Sequence, residues 1–253
     1  MTLHIRKQMP RLGTRKLYFL LKESFNQHQI KLGRDRLFDL LREENLLIVK
    51  RKKYVKTTNS KHWMKKYPNL IKDIIPERPE QLWVADITYL DTSDGNNYLH
   101  LITDAYSKQI MGYHLGEDML ATSTIKALKM AIKNRKYPNA ALIHHSDRGL
   151  QYCSAVYTNL LNKNNIKISM TENGDPYENA IAERVNGILK DEFGLGEKIE
   201  STIQAAKQVI QSVEIYNELR PHLSCNMLTP NQMHKQSSIT IKRWNKKSQE
   251  INS

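Results

Sequence analysis

A chain of 253 residues has room for one larger domain and a small one, and its 40% hydrophobic and 26% charged content is typical of a folded protein rather than a disordered one. No apolar run approaches the roughly 18 residues needed to cross a bilayer, and the polar N-terminus excludes a secretory signal peptide. Two cysteines, Cys153 and Cys225, support neither a disulfide framework nor a cysteine zinc site, so we expect a reduced, cytoplasmic protein with no membrane partner.

The net charge of +13 is concentrated in the first third of the chain. Residues 1–80 carry 20 Lys and Arg against 8 Asp and Glu, whereas residues 81–253 carry 19 against 18. Such an asymmetry favours a basic module that binds phosphate backbones, joined to a nearly neutral one. A solvated basic surface is the alternative interpretation.

Residues 10–50 carry two helical patterns. Leucines at positions 17, 20 and 21, and again at 37, 40 and 41, have helical spacing and predict two short amphipathic helices. Their basic outer positions are consistent with a helix-turn-helix DNA-binding unit, although any small helical bundle gives a similar pattern. The basic segment 51–61 predicts a linker that tracks a nucleic-acid backbone, or else a connector without contacts.

From residue 81 the pattern changes to strands and helices. Strands are predicted at 81–91, 98–105 and 108–115, with a turn at 94–97 between the first two. A helix at 121–134, a strand at 140–146, a helix at 154–164, a strand at 166–170 and helices near 177–193 and 202–218 follow. Three consecutive strands, then alternating helix and strand, then helices, are the order expected of a mixed α/β ribonuclease-H-like fold.

Three acids stand in settings that are unusual for a solvated carboxylate. Asp86 interrupts the apolar run 83–90, Asp147 ends the run 141–146, and Glu183 lies in a predicted helix with 35 residues between it and Asp147. Carboxylates gathered in a fold hold divalent metal ions, and a two-metal site is a standard device for phosphodiester chemistry. The alternatives are an aspartate satisfied by hydroxyl and backbone donors, and a strand-end aspartate that forms a turn. His145 lies two residues before Asp147, so both side chains are expected on the same face of the strand. There His145 either lines the site or has a structural role.

The helix that carries Glu183 has a predicted N-terminal cap at Asp175, with Pro176 in its first turn. Its polar residues at 179, 183, 186 and 190 fall within about 60° of one another, and apolar residues at 181, 185 and 188 cluster on the opposite side. We therefore expect one side to pack into the protein. The other side would present Glu183 and Lys190 to a metal and a phosphate, or simply to solvent.

Several segments carry a family resemblance: QLWVADITY (81–89), HSDRGLQY (145–152), GDPYENAIAER (174–184), LKDEF (189–193), YNELRPH (216–222) and LTP (228–230). Together they closely resemble the integrase-core transposases of bacterial insertion sequences, and more narrowly the second-reading-frame product of the insertion-sequence-three type. The spacing between the second and third acids is usual for that family. PRLGTRKL (10–17) resembles the start of the family's helix-turn-helix segment, which generally has more sequence upstream.

The resemblance implies a mixed five-stranded sheet with helices, preceded by a small helical domain like a helix-turn-helix. It also implies two Mg²⁺ ions, or Mn²⁺, held by Asp86, Asp147 and Glu183, which would activate water and then a DNA 3′ hydroxyl and stabilise the leaving oxygen. Lys190, seven residues after the glutamate, would contact DNA near the cleaved end. Further DNA contacts are expected at Arg148, Asn179, Arg15, Lys16, Arg34, Arg36, Arg51, Lys52 and Lys53.

The function implied by the resemblance is DNA strand cleavage and strand transfer at the inverted-repeat ends of an insertion sequence. Expected partners are target DNA, a first-reading-frame protein or frameshift fusion, and further copies of the chain on DNA, in the bacterial cytoplasm at the nucleoid. We predict a helical region at 1–50, a basic linker at 51–78, the catalytic core at 79–237 and a basic tail at 238–253. Two alternatives stay open: a ribonuclease-H-like nuclease without a joining step, and a non-catalytic DNA-binding remnant of a mobile element.

Overall fold

Five strands form one mixed sheet in the computed structural model, which describes residues 1–48, 63–72, 74–172, 179–236 and 239. The strands are β1 (Leu82–Thr92), β2 (Gly95–Asp104), β3 (Ile110–Gly116), β4 (Leu142–Ser146) and β5 (Ile166–Met170), in the spatial order β3-β2-β1-β4-β5. The first three are antiparallel neighbours, whereas β4 pairs parallel with β1 and β5 parallel with β4. Parallel pairing requires a crossover, and helices supply it on either side of β4. The predicted mixed five-stranded sheet is confirmed.

The turn between β1 and β2 lies earlier than predicted. Thr92 pairs with Gly95, so the hairpin closes at residues 93–94 and the strand resumes within the predicted turn. Gly95 has a φ of +122°, which a residue without Cβ adopts at little cost. The buried Asn97 donates to Thr92 Oγ1 at 3.2 Å and to Thr202 Oγ1 at 3.0 Å. These bonds hold turn-forming residue types inside a strand, which is why composition alone misplaced the turn.

Alternate residues of β1 face two helical layers. Trp83, Ala85 and Ile87 pack in one core with helices α4 (Ala121–Lys133), α5 (Leu150–Cys153) and α6 (Ala155–Lys163). On the other side, Leu90 packs in a second core with α7 (Ala180–Glu192) and α8 (Thr202–Glu218). The helices predicted in these regions are present, and Asp86 belongs by alternation to the face covered by α7.

In the described part of the chain, three helices precede the sheet: α1 (Thr2–Gln8), which the sequence pattern did not indicate, α2 (Thr14–Gln27) and α3 (Arg34–Glu43). Leu17, Leu21, Leu37 and Leu41 form their common core, and Phe193 packs against it from the end of α7. The N-terminal helices are therefore seated on the α7 side of the sheet. The predicted contacts Arg51, Lys52 and Lys53 lie outside the described residues, as do residues 51–62 and 73 of the predicted linker and nearly all of the predicted tail.

A buried polar network fixes the C-terminal part of the described chain near the start of β1. Glu80 donates its backbone N–H to Asp104 Oδ2 at 2.7 Å, and Ser107 Oγ donates to Asp104 Oδ1 at 2.9 Å. Ser107 Oγ is also 2.8 Å from Nδ1 of the fully buried His234, which follows α9 (Pro230–Met233). The network stabilises the end of the sheet opposite Asp147. No helix of the described residues has both the length and the apolar character of a membrane span.

Candidate active site

Asp86 and Asp147 lie level on neighbouring strands. The parallel register of β1 and β4 pairs Trp83 with His144 and Val84 with His145, and the same register places Asp86 beside Asp147. β4 ends at Ser146 whereas β1 continues to Thr92, so the two acids mark the point where the strands part. Ligands usually bind at such carboxyl ends of parallel strands. Long-range strand pairing therefore brings together two of the three predicted acids.

α7 lies across β1 and holds Asp86 from its other side. Asn186 Nδ2 donates to Asp86 Oδ2 at 2.7 Å, and Asn179 Nδ2 donates to the carbonyl oxygen of Ala85 at 3.0 Å. Both asparagines are buried, and in the described part of the chain neither Oδ1 has a hydrogen-bond partner. Two acceptor oxygens are thus left beside residues 85 and 86 of β1, and acceptor oxygens are what a hard cation or an ordered water requires.

Lys190 is buried on the same side of α7. Its Nζ lies 4.1 Å from the centre of the Tyr89 ring, and only 5% of the residue is exposed. Burial lowers the pKa of Lys190, while the negative charges of Asp86 and Asp191 act in the opposite direction. The ammonium therefore stands as a positive charge close to the acids, held by an aromatic face.

The prediction that the polar side of this helix faces a ligand or solvent was wrong for three of its four residues. Asn179, Asn186 and Lys190, predicted to share a ligand-facing or solvated side with Glu183, are buried against β1, and only Glu183 is exposed. The apolar side packs as predicted, so α7 is covered on both flanks. Each buried polar group has a specific partner on β1, which compensates the cost of removing it from water. The predicted cap at Asp175 lies outside the described residues. Within them, α7 begins at Ala180.

The acids influence one another electrostatically. The pKa of Asp86 is raised to about 7, chiefly by burial and next by the charge of Asp147, with a smaller contribution of the same sign from Glu183. The hydrogen bond from Asn186 acts against this rise. A carboxyl group whose ionised form is so disfavoured gains from a nearby cation.

The oxygen ligands of the three acids suit a hard divalent cation, although the acids do not surround one position. Mg²⁺ prefers carboxylate oxygens, and Asp86, Asp147 and Glu183 supply them. Among the described residues, no three His, Cys, Asp or Glu side chains come close enough together to enclose a metal ion. Two acids are therefore level, and the third stands exposed on the first turn of α7.

Several other predicted site residues have internal contacts. Arg148 Nη1 donates to the carbonyl oxygen of Glu172 at 2.9 Å, and His145 Nδ1 lies 2.8 Å from Ser169 Oγ. Lys16 forms an ion pair with Glu192, and both side chains are more than four-fifths buried. These contacts support structural roles for Arg148, His145 and Lys16, and DNA contact by Arg148, Asn179, Lys16 and Lys190 stays a prediction.

The remaining predicted DNA contacts lie on the surface. Arg15 is exposed at the start of α2. Arg34 pairs with Asp35 at 2.8 Å and Arg36 with Glu43 at 3.2 Å, and all four side chains are more than half exposed. Exposed ion pairs contribute little to stability, so these guanidinium groups exchange partners readily.

Residues in the YNELRPH segment serve the architecture. Asn217 Oδ1 accepts from the N–H of Ile110 at 2.9 Å, and its Nδ2 donates to the carbonyl oxygen of the same residue at 3.0 Å, which covers the edge of β3. Arg220 Nε and Nη2 donate to the two carboxylate oxygens of Glu192 at 2.8 and 2.7 Å. The bidentate pair fastens the end of α7 to the segment after α8.

Sequence reasoning singled out the three acids as candidates but missed residues that contact Asp86 and its strand. Asn186 was placed on the Glu183 side of the helix, yet its bond to Asp86 was not foreseen. The available signal was its place one turn after Glu183, on the side shared with Lys190. Tyr89 carried no signal, because its contact depends on how α7 crosses the sheet.

Comparison with known proteins is consistent with this geometry. The family description "Integrase core domain" matches residues 76–176 and again residues 164–230. The 31 kDa protein of insertion element IS600 from Shigella sonnei is 39% identical over 220 residues, which are 86% of this chain and 79% of that protein. The transposase InsF of insertion sequence IS3A from Escherichia coli K12 is 34% identical over 194 residues, 76% of this chain and 67% of InsF. The transposase of IS629 from Shigella sonnei is 35% identical over 179 residues, 70% of this chain and 58% of that protein.

Solved structures share the fold. The HTLV-2 integrase catalytic core domain in complex with magnesium has a TM-score of 0.50 and 20% identity, covering 62% of this chain and 97% of that one. The chain in the simian T-cell lymphotropic virus intasome has a TM-score of 0.54 and 17% identity, covering 92% of this chain and 78% of that one. The ribonuclease-H-like integrase core predicted from the sequence is confirmed, and the chain belongs to the integrase-core transposases of insertion sequences.

Proposed function

We propose that this protein catalyses DNA strand cleavage and strand transfer at the inverted-repeat ends of an insertion sequence. The observation that carries the proposal is the level placement of Asp86 and Asp147 on adjacent parallel strands, with Glu183 within electrostatic reach. The family supports the reaction class, since named relatives are transposases.

The three acids are proposed to hold two divalent cations, Mg²⁺ or Mn²⁺. When bound, such ions supply positive charge to the phosphoryl oxygens and lower the pKa of a nucleophilic water or 3′ hydroxyl. Asn186 fixes one oxygen of Asp86, so that the carboxylate is oriented before any ligand arrives. Glu183, exposed on the first turn of α7, is the acid that turns to complete the set.

The basic N-terminal third supports a proposal about partners. DNA ends and target DNA are proposed substrates, and Arg15, Arg34 and Arg36 are exposed cations placed to meet a phosphate backbone. We further propose that the protein acts as a multimer on DNA and works with a first-reading-frame protein or as part of a frameshift fusion. Phosphate contacts of this kind position DNA without reading its sequence.

The test is strand cleavage and joining by the purified chain. Labelled inverted-repeat ends are incubated with Mg²⁺ and wild-type protein, Asp86→Asn, Glu183→Gln or Asp91→Asn. Asp91 is an exposed carboxylate on the same strand and serves as the matched control. We expect both products from the wild type and the control, and neither from the two site variants.

Other outcomes separate the alternatives. Cleavage without joining would favour a ribonuclease-H-like nuclease. Binding without either reaction would favour a non-catalytic remnant of a mobile element. Full activity in Asp86→Asn would show that the reaction does not depend on this site.

A further inference from the structure

A cleft of about 670 Å³ separates the N-terminal helices from the flank of α7. One wall carries Arg11, Arg15 and Lys16, and the other carries Arg184 and Gly187. The walls come from distant parts of the chain, so no sequence pattern indicates the cleft. Its volume is within the range of ligand-binding pockets.

Positive charge in the cleft is only partly neutralised. Two acids, Asp191 and Glu192, stand among four basic residues of the lining. Glu192 already forms ion pairs with two cations: Arg220 donates to both its carboxylate oxygens, and Lys16 Nζ lies 3.4 Å from one of them. The pKa of Lys16 is lowered to about 8, chiefly by burial and next by the charge of Arg220, with a smaller contribution from Arg184, while Glu192 acts in the opposite direction. An anion in the cleft relieves this repulsion.

Arg15 and Arg184 are the two exposed cations of the lining. Within the described residues, neither guanidinium has a hydrogen bond or an ion pair with another side chain. An arginine fork in this state matches the oxygens of a phosphate in geometry and in charge.

The cleft adjoins the third acid along α7. Gly187 follows Glu183 by four residues, so the two lie one turn apart on the same side of the helix. A Cβ built on Gly187 meets no atom within 4 Å, which leaves the floor of the cleft open at this turn. A linear polyanion can therefore run from Glu183 over Gly187 to the two arginines.

We propose that this cleft binds the phosphodiester backbone of the element-end DNA strand that reaches Glu183, with Arg15 and Arg184 as phosphate ligands. The inference rests on the proposed function and deepens it, because it assigns the DNA path between the N-terminal helices and the acids. Both arginines are surface residues, so their replacement leaves the cores intact.

The experiment compares Arg184→Glu, Arg15→Glu and Lys129→Glu in the full chain. Lys129 is exposed on α4, on the opposite face of the sheet, and its replacement changes the net charge equally. Affinity for a labelled element-end duplex is measured by fluorescence anisotropy in EDTA over a series of salt concentrations. Gly187→Leu fills the floor without a change of charge.

We expect the two arginine variants to bind on the order of tenfold more weakly at low salt, each with a log–log salt slope shallower by about one. Lys129→Glu should stay within about threefold of the wild type, and Gly187→Leu should weaken binding. Arginine variants indistinguishable from Lys129→Glu, or a wild type that binds no DNA, would overturn the proposal.

Reaction assays distinguish element-end DNA from target DNA as the strand bound in the cleft. They also distinguish failure of the cleft proposal from failure of the proposed function. Weaker cleavage of element ends in Arg184→Glu supports the assignment to the end strand. Normal end binding and cleavage with joining alone lost would overturn it in favour of target DNA. Arginine-dependent binding by a wild type that does not cleave would refute the proposed function and leave the cleft assignment standing.

Discussion

Replacement of Asp86 by asparagine should stabilise the metal-free protein while it abolishes strand cleavage. The carboxylate is half-buried beside Asp147, and its ionisation is disfavoured. An asparagine at this position is nearly isosteric and keeps an oxygen that accepts the hydrogen bond from Asn186. The substitution therefore removes the charge and leaves the packing and the bond in place.

The magnitude follows from the pKa of Asp86, which rises from 3.8 to about 7 on folding. A difference of roughly three pH units corresponds to about 4 kcal/mol of destabilisation once the group is fully ionised. Asp86 is partly exposed, and water reduces this penalty, so we expect a gain of about 1–3 kcal/mol in Asp86→Asn.

The sign of the pH dependence is fixed by the same shift. Below the unfolded pKa the carboxyl is neutral in both states, so the wild type has no penalty there. The penalty grows as the pH rises through the interval between 3.8 and about 7, and it is fully present above that interval. The advantage of the asparagine variant should therefore be larger at pH 8 than at pH 5.

The assay is urea unfolding of the wild type, Asp86→Asn and Asp91→Asn in EDTA at both pH values, followed by thermal unfolding with Mg²⁺. We expect Mg²⁺ to raise the Tm of the wild type more than that of Asp86→Asn, because only the former has the full donor set. A variant less stable than the wild type at pH 8, or a gain equal at both pH values, would refute the reasoning.

Three other substitutions test separate contacts. Asn186→Leu removes the donor to Asp86, so cleavage should slow on the order of tenfold, with the acidic limb of its pH–rate profile moved upward; an unchanged profile would argue against a positioning role. Lys190→Met keeps an apolar contact with Tyr89 but removes the charge, and should lower both the cleavage rate and the affinity for element-end DNA; an unchanged affinity in anisotropy would argue against the predicted DNA contact. Glu192→Gln leaves two buried cations without their carboxylate and should lower the free energy of unfolding by about 3 kcal/mol in urea titrations, whereas a loss below 0.5 kcal/mol would contradict it.

Strand positions followed from the sequence because apolar runs and turns are local signals. The run interrupted by Asp86 is β1, and the run ended by Asp147 is β4. Their level placement did not follow, since register depends on pairing between segments far apart in the chain. Metal chemistry could thus be inferred from residue type and order, while the geometry required the fold.

The packing of α7 illustrates the limit of helical periodicity. Spacing placed residues 179, 186 and 190 on one polar side, and a polar side usually faces solvent. Here that side crosses a strand whose own interruption, Asp86, supplies a polar partner for Asn186. The acid inside an apolar strand and the polar side of a packed helix are each unusual alone. Their contact accounts for both, and that contact is visible only in the fold.

α7 contacts both the N-terminal helices and the strand that carries Asp86. Its first turn carries the exposed Glu183, its middle holds Asp86 through Asn186, and its last turn places Glu192 between Lys16 and Arg220. Burial along the middle and end of the helix fixes its position on β1 and leaves the first turn as the part open to solvent. A strand bound in the cleft touches the same helix that carries the third acid, so DNA binding and closure of the metal site are expected to be energetically coupled. Mg²⁺ should then raise the affinity of the wild type for element-end DNA, and Glu183→Gln should remove that increase without lowering the affinity measured in EDTA.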